Sequence, residues 1–95
     1  METIHNAELI EIGLPKFSLS WTNIYLKFKK EDGTEIWLYY SEHLDKPMRL
    51  KQIKNFTQGI INVGDTMTVN YKIVQSLNKS TKLAIIDISN HRSKN

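Results

Sequence analysis

Ninety-five residues with 40% hydrophobic content and a formal charge of +3 suffice for one small domain with one core. The absence of cysteine rules out disulfides, thiolate metal sites and cysteine nucleophiles. No apolar run approaches the roughly 18–20 residues of a membrane helix, and Met1 to His5 lacks the basic and apolar regions of a signal peptide, so a cytoplasmic protein is expected.

Ile4 to Leu14 reads as the first strand. Its apolar parity changes midway, since Ala7 and Leu9 are odd while Ile10, Ile12 and Leu14 are even. A parity switch inside one strand predicts a bulge or a sharp bend, which Gly13 would ease. Pro15 to Ser20 reads as a loop, because Pro15 cannot donate to a ladder.

Thr22 to Lys30 is the second predicted strand and Thr34 to Tyr40 the third. Ile24, Leu26, Phe28, Ile36, Leu38 and Tyr40 share one parity. Tyr25, Lys27, Lys29, Glu35, Trp37 and Tyr39 share the other. Alternate side chains point to opposite faces of a strand, so one face has a core pattern and the other turns three aromatics and two lysines to water. A two-residue turn at Asp32-Gly33 would set Trp37 against Phe28 and break the core. A three-residue loop, Glu31-Asp32-Gly33, with Gly33 in the left-handed region keeps the faces together. The predicted pairs are then Ile24–Tyr40, Leu26–Leu38 and Phe28–Ile36 inside. Outside they are Tyr25–Tyr39, Lys27–Trp37 and Lys29–Glu35. Cross-strand neighbours lie about 5 Å apart, so Tyr25, Tyr39, Trp37 and Lys27 form one patch. Bases stack on aromatics and phosphates pair with lysines, so this face reads as a platform for single-stranded nucleic acid.

Ser41 to Gln58 reads as a loop and then a helix. Asp45 suits a cap, Pro47 the first turn and Gly59 the residue after the last turn. Leu50, Ile53, Phe56 or Thr57, and Ile60 approximate an apolar stripe, and Lys46, Arg49, Lys51 and Lys54 read as its solvated face. Val63-Gly64-Asp65 is a turn into a fourth strand, Thr66 to Val74, in which Met67, Val69, Tyr71 and Ile73 alternate with polar residues. Gln75 to Thr81 is a polar loop, and Lys82 to Ser89 a short fifth strand. Residues 1–90 are taken as one domain and 91–95 as a frayed tail.

This order, β-β-β-α-β-β, resembles the OB-fold, a five-stranded Greek-key barrel. The chain looks like the small single-stranded DNA-binding, replication-accessory proteins of phages and mobile elements. The resemblance spans about Ile4 to Ser89 and rests on topology, spacing and the Val63-Gly64-Asp65 turn. It implies a mainly β protein with one helix, whose ligand crosses the outer face of strands two and three between two flanking loops. Carried over, the face is Tyr25, Lys27, Lys29, Trp37 and Tyr39. The first loop supplies Lys16, Phe17 and Trp21, and the second Asn78, Lys79 and Lys82. The expected ligand is single-stranded DNA, with RNA as the alternative. A polymerase, primase or helicase, or further copies of the chain, are the protein partners this implies.

The same aromatics would also serve an adaptor or inhibitor docking on another protein, since Tyr and Trp dominate interface hot spots. His5, His43 and His91 have no ligand-type spacing, and no metal or other cofactor is expected. Glu42, His43 and Asp45 are accounted for by helix capping. Gly13, Gly33, Gly59 and Gly64 each have a turn, bulge or cap role, so no phosphate-cradling loop is present. No enzyme is expected.

Overall fold

The structure, a computed structural model, describes residues 1–13, 24–40, 51–52, 54–56, 58–75 and 81–94. It is mainly β with one short helical segment, residues 51–52 and 54–56. The strands are β1 (Glu2–Gly13), β2 (Tyr25–Lys29), β3 (Glu35–Tyr40), β4 (Thr66–Gln75) and β5 (Thr81–Arg92). They form one sheet in the order β1-β2-β3-β5-β4, closed into a ring where β4 meets β1. Every neighbouring pair is antiparallel except β3 and β5, which run parallel at Tyr39–Ala84 and Tyr40–Ile85.

The β2–β3 register is the predicted one, with Tyr25 opposite Tyr39, Leu26 opposite Leu38, Lys27 opposite Trp37, Phe28 opposite Ile36 and Lys29 opposite Glu35. The Tyr40 N–H donates to the Ile24 carbonyl at 3.2 Å, which extends the same register by one pair. The loop closes as Gly33 N–H donates to Lys30 C=O at 2.9 Å and Lys30 N–H to Thr34 C=O at 2.8 Å. Gly33 has φ +88°, a conformation that costs a residue with a Cβ. Asp32 Oδ1 accepts from the Thr34 N–H and hydroxyl, at 2.9 and 2.6 Å. Those bonds, the hydroxyl's first, hold the Asp32 carboxyl below its ordinary range.

Strand β1 breaks register against β2 between Leu9 and Glu11, where the parity switch predicts a bulge. A second break, against β4 between Ile4 and Ala7, surrounds Asn6 at φ 53°. Asn6 Nδ2 there donates to Glu31 Oε1 at 3.0 Å, across to the β2–β3 loop. The two bulges return Ile4, Ala7, Leu9 and Ile12 to the inside in turn. Ile4, Ala7 and Leu9 join the core with Ile24, Leu26, Phe28, Leu38, Tyr40, Met67, Val69 and Ile85, and Ile12 packs against it.

The helical segment contributes Phe56, whose ring meets Tyr40 edge-on at 5.7 Å. Gly59, at φ +78°, ends the turn, and Ile61 N–H reaches back to Asn55 C=O at 2.8 Å. This left-handed residue breaks the helical period. Ile61 therefore enters the core, while Ile60, expected on the apolar stripe, is 57% exposed. Leu50, Ile53 and Thr57, the other members of that stripe, lie outside the described residues, as do Asp45 and Pro47.

Ile73 departs from its expected inward alternation. The β1–β4 ladder ends at Glu2–Tyr71, so beyond Tyr71 the β4–β5 hairpin runs on alone and Ile73 is 66% exposed.

The tail expected to fray from residue 91 is instead strand as far as Arg92, which pairs with Thr66. Buried Asp65 holds it there. Asp65 Oδ2 lies 2.7 Å from His91 Nε2 and accepts the Asn62 N–H at 3.0 Å. Its Oδ1 accepts the Lys94 N–H at 2.9 Å. The turn before β4 is also stitched to β1, through Gly64 N–H to Leu9 C=O at 2.8 Å and Leu9 N–H to Asp65 C=O at 2.9 Å. The hydrogen bond from His91 is the largest cause that lowers the Asp65 carboxyl to a pKa of about 2, followed by those from Asn62 and Lys94.

Candidate nucleic-acid interface

The two ladders flanking β2 place the outer face of β1, β2 and β3 on a grid. One row reads Gly13, Tyr25, Tyr39 and continues to Ala84 of β5. The next reads Glu11, Lys27, Trp37, and the third Glu8, Lys29, Glu35. The bulge between Leu9 and Glu11 is what turns both Glu8 and Glu11 onto this face. The surface therefore grades from an apolar row at one end to a charged row at the other.

Tyr25 and Trp37 are 41% and 45% exposed and lie diagonally across the β2–β3 ladder. The indole reaches over β2 as far as Gly13. A Cβ on residue 13 would sit 3.5 Å from Tyr25 Cβ and 3.7 Å from Trp37 Cζ3. Glycine there leaves a smooth floor beneath two aromatic side chains.

Tyr39, expected to face water, is 5% exposed. It sits where β3 joins β5, beside Ala84. The Tyr25 ring lies 6.0 Å from its ring, tilted by 32°. Lys82 Nζ stands 5.3 Å from its centroid, a cation over an aromatic face. Tyr39 supports the platform from within rather than offering it a free ring.

Lys27 does two things at once. Its ammonium lies 5.5 Å from the Trp37 centroid and pairs with Glu35 Oε1 at 2.9 Å. The ion pair thus runs diagonally from Lys27 and not between Lys29 and Glu35, which stand directly opposite. The hydrogen bond to Glu35 raises the Lys27 pKa above its ordinary value, and Glu11 adds to the effect. With Lys82 counted, the described part of the face carries three lysines, Lys27, Lys29 and Lys82, against three glutamates, Glu8, Glu11 and Glu35. It is close to neutral, unlike the cationic groove that the lysines alone suggest.

Of the other predicted contacts, Lys16, Phe17, Trp21, Asn78 and Lys79 lie outside the described residues. Lys82 lies in β5, as the predicted fifth strand from Lys82 has it, one residue past the strand's start at Thr81. Gly13, Glu8 and Glu11 join the face through the β1 bulge, for which the parity switch was the available signal. Among the described residues no group of three or more His, Asp or Glu could hold a metal ion, and no helix is long and apolar enough to cross a membrane. No family model, no curated protein and no solved structure matches the chain.

Proposed function

We propose that this chain is an OB-like Greek-key barrel that binds single-stranded nucleic acid, DNA before RNA, on the outer face of β1, β2 and β3. The observation that carries the reading is the exposure of Tyr25 and Trp37 together over Gly13, which offers stacking surface to successive bases. Each such stack contributes about 1–3 kcal/mol by alanine substitution, whatever the base. Tyr39 and Lys82 brace the pair. Lys29 supplies phosphate contacts, and Lys16, Phe17, Trp21 and Lys79, which lie outside the described residues, are the further contacts that the OB-like reading assigns. The closed five-stranded sheet supports the barrel reading. The proposed role is accessory to DNA replication or recombination in the cytoplasm, as a binding module without catalysis or cofactor. Self-association, or a polymerase, primase or helicase partner, would help it hold a useful length of strand.

A second reading follows from the charge balance of the face. Alternating Lys and Glu around exposed aromatics also suits a protein surface, on which the chain would act as an adaptor or inhibitor. Titration of fluorescent oligo-dT at two salt concentrations separates the two. Under the first reading binding appears at low salt, weakens as salt rises, and falls about 5–150-fold in Trp37→Ala. Absence of binding at low salt, with a stoichiometric protein partner recovered after nuclease treatment, selects the second.

A further inference from the structure

Charge divides the outer face from one side to the other. The charged residues that β1 turns to it are both exposed carboxylates, Glu8 and Glu11, set opposite Lys29 and Lys27. On the far side β5 contributes Lys82, whose ammonium stands 5.3 Å from the Tyr39 centroid. The exposed aromatics, Tyr25 and Trp37, lie between the two sides. A strand on this face is repelled where its phosphates approach β1 and attracted where they approach β5. The favoured pose draws the backbone toward Lys82 and turns the edge of a stacked base toward β1.

Glu11 is the side chain which that edge meets. It stands two residues before Gly13 on the same face of β1, since Glu11 is opposite Lys27 and Gly13 opposite Tyr25. The Trp37 indole crosses β2 and comes within 3.7 Å of where a Cβ on Gly13 would sit. Its far rim therefore lies at the stretch of β1 that bears Glu11. The other carboxylate near the indole, Glu35, is engaged by Lys27 at 2.9 Å. Among the described residues no hydrogen bond or ion pair engages Glu11.

An ionised carboxylate only accepts hydrogen bonds. Single-stranded bases stacked on aromatics are read on their edges, and those edges differ. Cytosine offers an amino group, the natural partner of Glu or Asp, and adenine and guanine carry amino groups as well. Thymine and uracil have a carbonyl oxygen in the place of the cytosine amino group, which a carboxylate repels.

We propose that Glu11 makes this platform selective for bases with an exocyclic amino group, cytosine over thymine, by accepting a hydrogen bond from that group while the ring stacks on Trp37. The selectivity rests on the nucleic-acid reading of the face and adds a base preference to it.

The experiment is a fluorescence titration at low salt and neutral pH with three oligonucleotides of equal length. They are oligo-dC, oligo-dT, and oligo-dC doubly methylated on the amino nitrogen. Oligo-dC should bind at least about fivefold tighter than oligo-dT, and methylation should remove the advantage. In Glu11→Gln the ratio of the two affinities should fall to near one, because a side-chain amide donates as well as accepts. Glu2→Gln removes the same charge at the far end of β1 and should keep the ratio, which separates base reading from net charge. Equal affinities, or a preference for oligo-dT, overturn the selectivity and leave the platform standing. A preference for oligo-dC that survives Glu11→Gln or methylation does the same. Absence of binding by all three oligonucleotides overturns the platform and the selectivity together.

Discussion

Replacing Asp65 by Ala is expected to cost about 2–4 kcal/mol. The Asp65 side chain is 2% exposed, and its carboxylate is held by the Asn62 and Lys94 N–H groups and His91 Nε2. Hydrogen bonds to a charged group contribute about 1.5–3 kcal/mol each. Asn62 and Lys94 are exposed and the His91 ring is partly so, so water takes over part of each lost bond and the three do not add. For a domain of this size 1 kcal/mol shifts the melting temperature by about 4–8 °C, which predicts a fall of about 8–30 °C by circular dichroism. The pH dependence gives an independent check. The folded Asp65 pKa, about 2, lies below its ordinary 3.8, so its ionised form favours the folded state. That contribution is complete above about pH 5 and disappears as pH falls through about 4 to 2. A shift of this size corresponds to about 2 kcal/mol. The stability of the wild type should therefore fall more steeply over that window than that of Asp65→Ala or Asp65→Asn. An Ala variant within about 0.5 kcal/mol of wild type, or parallel pH profiles, would refute the fastening role.

Glu35→Gln releases Lys27 from its ion pair and removes one negative charge from the face. Oligo-dT affinity at low salt should rise a few-fold, and the salt dependence should steepen by about one phosphate contact, a slope change of about 0.7 on logarithmic axes. Unchanged slopes would show that the strand does not pass Lys27. Gly33→Ala should cost about 1 kcal/mol in urea unfolding, because φ is +88° but nothing stands within 4 Å of an added Cβ. A much larger loss would point to a contact at the loop.

The β2–β3 hairpin was readable in the sequence because both constraints on it are local. Parity assigns the two faces, and the length of Glu31-Asp32-Gly33 sets the register. The β1 bulge at Leu9 to Glu11 announced itself in the same way. What escaped depends on partners distant in the chain. Tyr39 has the parity of an exposed residue and is buried because β5 arrives beside it. The near-neutrality of the described part of the face depends on Glu8 and Glu11, and their facing Lys29 and Lys27 follows from the β1–β2 register rather than from composition. His91 looked like part of a loose end because its partner, Asp65, lies before the preceding strand. Ile60 and Ile61 exchange roles because Gly59 interrupts the period that would have aligned Ile60 with Phe56.

The parallel join between β3 and β5 rests on Tyr39–Ala84 and Tyr40–Ile85. The other junctions are longer ladders, and β1–β2, β2–β3 and β4–β5 each link strands consecutive in the chain. The β1-β2-β3 meander and the β4–β5 hairpin can form early from nearby residues, whereas the β1–β4 and β3–β5 joins bring together distant segments and bear the entropy of loop closure; of these two, β3–β5 is the shorter ladder. It is the natural place for the ring to open first, with amides near Tyr39 and Ala84 exchanging ahead of those in the β2–β3 hairpin. Tyr39 and Lys82 belong to this join and also brace the aromatic platform. A ligand lying across them would act as a clasp on the ring, so occupancy should slow opening there, coupling recognition on the surface to closure of the fold.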